Sequence, residues 1–335
     1  LLHSKPNAPF KSHTHSSHSI KPIKKRNRKE DRFSAERRIV AGLKSCAMRK
    51  DLKGGVEIHH QFVKLDFLEK NLVIGCTLVD MYAKCGSLKK AKESFDKLPS
   101  RDVVSWTCLI SGYTQHGHCE EALDFFDQMK RESISPDAFT LVFVLKACGN
   151  LGFVDQGQEI HTEIEMKGLL EKNLFIGSAL VDMYAKFGLL VMAPYVFEKL
   201  LIQDVVMWNV LIVGYTKHGK DNKALECFEE MHRKSVSPNV ATYVSIVKAC
   251  GNLGAIGKGQ EVHAKFEGEG FVEKDIFFGN ALIYMYGKCG SMGDALRTFE
   301  KICDSSRETY VSILSACSHQ VDLPEGRSIH GLIMK

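Results

Sequence analysis

No apolar run in this 335-residue chain is long enough for a membrane-spanning helix. Such a helix needs about 20 predominantly apolar residues. The best run, VVMWNVLIVGY at 205–215, is far shorter. We therefore expect no membrane association. The hydrophobic content of 44% is nonetheless ample for a folded core, so two or three globular domains and a single repeat array are the alternatives.

Motifs of catalysis and metal binding are also missing. The sequence contains no C-x-x-C pair, no Gly-rich phosphate loop and no Ser nucleophile elbow. The segment HTE at 161–163 is similar to the H-x-E of zinc deaminases, but no C-x-x-C follows it, so chance explains it better. We therefore predict a protein that is not an enzyme, with no catalytic residues, no bound metal and no cofactor.

Acidic residues are absent from the first 29 positions, which hold eight Lys or Arg. The remaining chain has 37 basic and 40 acidic residues, a net charge of −3. A Ser-, His- and Lys-rich segment of this kind buries too little apolar surface to offset its ordering entropy, so we predict a disordered basic tail over residues 1–35. Its role stays open between an organelle transit peptide, a nuclear or nucleic-acid-binding run at KKRNRK, and a solvated extension without a role.

What the chain does contain is a repeat of 102 residues. LVDMYAKCGS at 78–87 returns as LVDMYAKFGL at 180–189 and as LIYMYGKCGS at 282–291. Each unit divides into sub-repeats of 36, 31 and 35 residues, and the third unit lacks its last member. The predicted boundaries are 36–71, 72–102, 103–137, 138–173, 174–204, 205–239, 240–275, 276–306 and a partial repeat at 307–335.

Each sub-repeat predicts two helices joined by a turn. In the sub-repeat 103–137, one apolar face of the first helix is expected to consist of Val104, Leu109, Ile110 and Tyr113. The QHG segment then supplies Gly117 for the left-handed conformation that ends the helix.

The second helix of each pair is marked by an Ala-x-x-x-Phe spacing, such as Ala122 and Phe126. Pro194 falls inside the corresponding helix of 174–204, so we expect that helix to begin late, near Met192. One hairpin cannot bury its apolar face alone, and stacked neighbours must do so. The sequence therefore predicts an all-α fold, an α-solenoid.

The cysteines recur at equivalent repeat positions. One position holds Cys46, Cys148, Cys250 and Cys317, and another holds Cys85, Phe187 and Cys289. A position that accepts Phe as readily as Cys serves packing, so we interpret these cysteines as small hydrophobic side chains and not as metal or disulfide partners.

The fifth residue of the sub-repeats varies in an informative way. It is Val in the long ones (Val40, Val142, Val244 and Val311) and small in the others (Cys76, Thr107, Ser178, Asn209 and Asn280). The last residues of those shorter sub-repeats are Asp102, Asp137, Asp204, Asn239 and Ser306. Small polar pairs that vary from hairpin to hairpin suit a surface that reads one base per repeat. The alternative is that Asp and Asn serve only as helix N-caps and solvated turn residues. Both interpretations stay open.

The 35-residue segments that begin VVSWTCLISGYTQHG and VVMWNVLIVGYTKHG resemble pentatricopeptide repeats. The long LKACGNLGFVDQGQEIH and short GSALVDMYAKFG variants resemble the plant subclass in which long, short and standard repeats alternate. The resemblance covers residues 36–335. It implies a right-handed α-solenoid that binds single-stranded organellar RNA by sequence, reads bases with the fifth and last residues of each repeat, and selects cytidines for C-to-U editing.

The resemblance also implies which bases are preferred. Thr107 with Asp137 implies G, Ser178 with Asp204 a purine, Asn209 with Asn239 a pyrimidine, and Asn280 with Ser306 C. Cys76 with Asp102 implies no clear base, and the Val of the long repeats offers no hydrogen bond to a base edge.

The sequence departs from the family pattern in two ways. It shows no C-terminal deaminase domain and no terminal Asp-Tyr-Trp. Site selection for editing would then need either a separate deaminase or editing factor supplied in trans, or a longer protein of which this sequence is a fragment. The missing standard repeat after 306 breaks the phase of the array. The net charge of −3 on the repeats also argues against strong non-specific phosphate binding.

Other functions compatible with helical hairpins are a protein-binding scaffold of the tetratricopeptide type and a factor for RNA splicing or stability. The tetratricopeptide period is a uniform 34 residues, whereas this chain steps by 36, 31 and 35. We expect a monomer located in the mitochondrion, with the chloroplast as the alternative.

Overall fold

The computed structural model describes residues 30–63, 71–170, 173–268, 275–302 and 307–320. Across these ranges the chain has seventeen helices and no strand, which confirms the predicted all-α class. The first helices of the hairpins are α1 Glu30–Arg49, α3 Leu72–Lys84, α5 Val103–Gln115, α7 Ala138–Leu151, α9 Leu174–Phe187, α11 Val205–Lys217, α13 Val240–Leu253, α15 Ile276–Lys288 and α17 Arg307–Gln320. The second helices are α2 Leu52–Val63, α4 Leu88–Asp96, α6 Cys119–Arg131, α8 Val154–Met166, α10 Met192–Glu198, α12 Asp221–Arg233, α14 Ile256–Gly268 and α16 Met292–Lys301.

The helices form two layers with different packing. Each first helix contacts the first helix of the next hairpin, from α1 with α3 through α15 with α17. Within the described ranges the second helices of successive hairpins do not pack backbone against backbone, and long side chains such as Lys258 with Glu229 bridge them instead. The first helices therefore form the closely packed inner layer of a curved α-solenoid, and the second helices form its outer layer.

Aromatic rings fill the junctions between hairpins. Phe95 on α4 meets Trp106 on α5 edge to face, with ring centroids 4.6 Å apart, and Phe197 meets Trp208 in the same way at 4.7 Å. Every Ala of the predicted Ala-x-x-x-Phe pairs is fully inaccessible, and the Phe rings are buried except Phe299, which is partly buried. The small Ala lets the paired helices approach, and the Phe ring reaches the next hairpin.

Two glycines show how the repeats achieve this packing. A Cβ built on Gly112 of α5 would lie 2.4 Å from Cβ of Ala83 on α3, so only glycine fits at this contact between first helices. Gly117 follows α5 with φ of +82°, the left-handed conformation that was expected for the turn.

The apolar face predicted for α5 is wrong at one position. Leu109 and Ile110 are buried as expected, but Val104 is 52% exposed and Trp106 takes the buried place. At 100° per residue, Val104 lies about 180° around the helix from Tyr113 and so opposite the buried face. An exposed apolar residue recurs at this position in other hairpins.

The predicted start of the folded array also needs correction. The tail was expected to be disordered through residue 35, but α1 begins at Glu30. Ala35 and Ile39 are buried in the array, and residues added to a helix that packing has already nucleated cost little. Residues 1–29, which carry the predicted tail, lie outside the described residues.

The late start of the helix that contains Pro194 is confirmed. α10 begins at Met192, so Pro194 is the third helical residue, where a missing amide N–H removes no helical hydrogen bond. The equivalent helix α4 begins at Leu88, two positions earlier in the repeat.

Candidate nucleic-acid interface

In four of the shorter repeats, the last residue caps the first helix of the next hairpin. Oδ1 of Asp102 accepts a hydrogen bond from the Ser105 amide at 2.9 Å, and Oδ1 of Asp137 accepts one from the Thr140 amide at 2.8 Å. Asp204 and Asn239 cap α11 and α13 in the same way. The N-cap interpretation is therefore correct for these four residues. Each uses Oδ1 for the cap, so the cap leaves the second polar atom of its side chain unengaged.

Two of the predicted pairs are joined across the junction between hairpins. Nδ2 of Asn209 donates to Oδ1 of Asn239 at 3.0 Å, and the Thr242 hydroxyl donates to Oδ1 of Asn209 at 2.6 Å. The hydroxyl oxygens of Thr107 and Thr140 are 2.6 Å apart, and Thr140 donates to Oδ1 of Asp137 at 2.8 Å. A Thr three residues after the cap thus bridges the fifth residue of one repeat to the cap of the next.

The Cys76–Asp102 pair is a weaker contact. Sγ of Cys76 lies 3.9 Å from Oδ1 of Asp102, and the cysteine is buried. Burial and then the negative charge of Asp102 raise the pKa of the Cys76 thiol to about 12. The thiol is therefore neutral at ordinary pH and a poor hydrogen-bonding group for a base edge.

The other two pairs are not joined in the same way. No hydrogen bond links Ser178 to Asp204, because Met207 stands where the two joined junctions have a bridging Thr. Oδ1 of Asn280 is buried and has no hydrogen-bond partner among the described residues. Ser306, its predicted partner, lies outside the described residues.

The long repeats present no polar group at the fifth position. Val40, Val142 and Val244 are half-buried and pack against the core, whereas Val311 is 59% exposed. These side chains cannot hydrogen-bond to a base edge, so recognition at these repeats would have to be apolar.

Exposed apolar side chains line the N-terminal ends of the first helices, a feature that the sequence reasoning missed. They occupy the second residue of their sub-repeats and are Val73, Val104, Phe139, Phe175, Val206 and Phe277, each at least 52% exposed. Each comes three residues before a fifth residue and so lies on the same helical face. The bases of a nucleic-acid strand can stack on the exposed Phe rings whatever the base, and the Val side chains offer a further apolar contact. The sequence pattern could have shown this exposure, because a residue two positions before Trp106 lies about 200° around the helix and cannot share its buried face.

The polar and apolar groups meet in a groove between successive first helices. Between α9 and α11 this groove is lined by Asp182, Lys186, Val206, Asn209, Val213 and Lys217. One wall therefore offers, in order along α11, an apolar contact, an amide for hydrogen bonding and a lysine at the far end. That combination suits a strand with a base, a sugar and a phosphate.

The residues that suggested other chemistry are part of the packing. His161 is 5% exposed and its Nδ1 lies 2.7 Å from the hydroxyl oxygen of Tyr184, a pair that recurs as His59 with Tyr82 and His263 with Tyr286. Cys148 and Cys250 are fully buried, and burial raises the pKa of their thiols to about 12 and about 11. Within the described ranges no three His, Cys, Asp or Glu side chains are grouped closely enough to hold a metal ion. None of the helices described is both long and apolar enough to cross a membrane.

Comparison with known proteins identifies the repeats. Models of the pentatricopeptide repeat family match residues 101–150 and 203–252, and a second model of the same repeat matches 76–103 and 280–306. Among curated relatives in Arabidopsis thaliana, the chloroplastic pentatricopeptide repeat-containing protein At4g18520 is 35% identical over 276 residues, which are 82% of this chain and 44% of that protein. The mitochondrial protein At3g24000 is 39% identical over 275 residues, 82% of this chain and 43% of that protein. This chain thus spans less than half the length of these relatives.

Solved structures show the same fold. The pentatricopeptide repeat protein PPR10 in complex with an 18-nucleotide psaJ RNA element superposes with a TM-score of 0.70 at 18% identity, over 84% of this chain and 42% of that one. A second structure, of PPR10 from maize, superposes with a TM-score of 0.55 at 19% identity, over 84% of this chain and 48% of that one.

Proposed function

This chain carries pentatricopeptide repeats, and on that premise we propose that it binds single-stranded RNA by sequence and acts in organellar RNA processing. The observation that carries the proposal is the polar junction between hairpins. Asn209 and Asn239 contact each other at one groove edge, next to the exposed Val206, and the Thr107–Thr140–Asp137 junction repeats the arrangement beside Val104. The N-caps hold these side chains in fixed positions, as recognition by two or three side chains per base requires.

The preferred bases proposed for the individual repeats follow the family resemblance. We assign G to Thr107 with Asp137, a purine to Ser178 with Asp204, a pyrimidine to Asn209 with Asn239, and C to Asn280 with Ser306. The neutral thiol of Cys76 supports the absence of a clear preference at Cys76 with Asp102.

The specific role that we propose is the selection of cytidines for C-to-U editing, with a separate deaminase or editing factor supplying the chemistry. The alternation of long, short and standard repeats supports this role. The named relatives include chloroplastic and mitochondrial proteins, which supports an organellar location. We propose the mitochondrion first, the chloroplast as the alternative, and a monomer as the binding unit.

The binding proposal is tested by selection from a random single-stranded RNA library with the purified chain at fixed salt. We expect enriched RNAs to show G at the position read by Thr107 and Asp137, at a constant spacing from a pyrimidine read by Asn209 and Asn239. Binding of protein ligands with no enrichment of any RNA would instead favour the scaffold of tetratricopeptide type.

The editing role needs a different measurement. In organelles depleted of the protein, we expect a loss of C-to-U conversion at defined sites whose upstream sequence matches the selected RNA. Unchanged editing with altered intron removal or transcript abundance would assign the protein to splicing or stability.

A further inference from the structure

One face of each first helix continues from the base-reading residues to a position near the helix C-terminus. On α3 this face carries Val73, Cys76, Asp80 and Lys84, at spacings of three, four and four residues. At 1.5 Å per residue, about 16 Å separate its two ends along the axis. Equivalent faces on α9, α11 and α15 all end in lysine: Lys186, Lys217 and Lys288.

Two of these lysines each form an ion pair with an aspartate on their own helix. Nζ of Lys84 lies 2.8 Å from Asp80, and Nζ of Lys186 lies 2.7 Å from Asp182. Lys186 also donates to the side-chain oxygen of Asn150 at 3.0 Å. Each of these lysines must exchange a carboxylate for a phosphate before it can bind a nucleic-acid backbone, so its contribution to binding is reduced.

The other two lysines have no carboxylate at the matching position. Val213 precedes Lys217 by four residues, and Tyr284 precedes Lys288. Neither lysine forms an ion pair with any residue in the described ranges, and both are exposed. Nζ of Lys288 lies 5.9 Å from the centre of the Tyr284 ring, whose hydroxyl donates to Asn252 at 2.7 Å. The tyrosine is thus held in place without neutralising the lysine.

We propose that Lys217 and Lys288 bind the phosphodiester backbone of single-stranded nucleic acid, while Asp80 and Asp182 keep Lys84 and Lys186 from doing so. This inference rests on the proposed RNA binding and adds where along the array the backbone is held. Among the four lysines at this helical position, those on α11 and α15 then contribute to electrostatic affinity, whereas those on α3 and α9 contribute little. Because few lysines are available for phosphate contacts, non-specific binding is limited. Recognition of the RNA sequence then depends on the polar junctions between hairpins.

The test is the salt dependence of binding to a fluorescently labelled single-stranded RNA selected from the library, over a series of KCl concentrations. Each phosphate contact contributes about 0.7 to the slope of log affinity against log salt for single strands. We expect the double variant Lys217→Ala/Lys288→Ala to reduce the magnitude of this slope by about 1.4, so that binding depends less on salt. The matched variant Lys84→Ala/Lys186→Ala, which removes the same charge from the same helical position, is expected to change it little.

The acidic residues are tested by a gain of binding. We expect Asp80→Asn/Asp182→Asn to increase the magnitude of the slope by up to about 1.4, because Lys84 and Lys186 become available for phosphate contacts. The control is Asp96→Asn/Glu163→Gln, which adds the same charge on the outer helices α4 and α8, where Lys92 and Lys167 are paired in the same i,i+4 manner. This control is expected to leave the slope unchanged.

The outcomes separate the two proposals. If the wild-type protein binds no RNA, the proposed function fails and this inference fails with it. If the wild type binds but both lysine doubles change the slope equally, or the aspartate variant behaves like its outer-layer control, RNA binding stands and the inference is overturned.

Discussion

Asn209 and Asn239 are 30 positions apart in the chain, yet Nδ2 of the first donates to Oδ1 of the second at 3.0 Å. The same Oδ1 accepts the Thr242 amide and so caps α13. A residue proposed to read a base is thus also the residue that starts the next helix. Substitutions at the two ends of this contact should therefore have different effects on folding.

We expect Asn239→Ala to lower the free energy of unfolding by about 1 kcal/mol, because α13 loses its N-cap. Asn239→Asp keeps the cap and should stay close to the wild type, and Asn209→Ala, which removes no cap, should have the smaller effect of the two alanine variants. Thermal and urea unfolding measure the difference. Equal stability of Asn239→Ala and Asn239→Asp would show that the cap is not stabilising.

The contact between first helices gives a second prediction. Gly112→Ala places a Cβ only 2.4 Å from the Cβ of Ala83, so we expect a destabilisation of about 1–3 kcal/mol from overpacking. Gly257→Ala on α14 is the control, since a Cβ there meets no atom within 4 Å. That variant should be stabilised by up to about 1 kcal/mol through helix propensity. Similar urea midpoints for the two variants would contradict the packing described here.

Pro194 is expected to shorten α10. Pro194→Arg allows the helix to begin two residues earlier, as in α4, and restores a long polar side chain at the position of Lys92. We expect a higher melting temperature and a gain below about 1 kcal/mol, because the third helical position tolerates proline already. A lower melting temperature would show that the late start is required by the packing around it.

The stability of the array should fall in mild acid through the buried His161 and the half-buried His59. Burial lowers the pKa of His161, although Glu165 opposes this effect, and burial also lowers the pKa of His59. Because the unfolded chain then binds protons first, stability is lost as the pH falls below about 6.5 toward the lower pKa of the folded state. His161→Gln should weaken this loss in urea titrations at a series of pH values. A pH dependence identical to that of the wild type would assign the acid sensitivity elsewhere.

The sequence alone identifies the hairpins, because glycine, Asp/Asn caps and the Ala-x-x-x-Phe spacing recur at fixed intervals. Periodicity could not by itself decide which apolar residues face solvent. Val104 was expected in the core and is instead one of the exposed apolar side chains beside the pairs that we propose to read bases. The bridging role of Thr140 and Thr242 was also missed, because it depends on how closely one hairpin approaches the next. For the same reason Ser178 and Asp204 were paired by position, although Met207 leaves them without a bridge.

We propose that the fifth residue of one repeat and the cap of the next helix select a base together, and the variant Thr107→Asn is the sharpest test of this proposal. Thr107 contacts Thr140, which contacts Asp137, and the Asn209 junction shows that an asparagine fits beside a bridging threonine. The family resemblance implies that Asn with Asp prefers U where Thr with Asp prefers G. The measurement is binding at fixed salt to RNAs that carry each of the four bases at this one position. Val142→Thr in the adjacent long repeat is the control and should change preference little. We predict a shift from G to U of about tenfold, in the range of about 1–3 kcal/mol for a directional base contact. Retention of the preference for G by the variant would contradict joint base selection by Thr107 and Asp137.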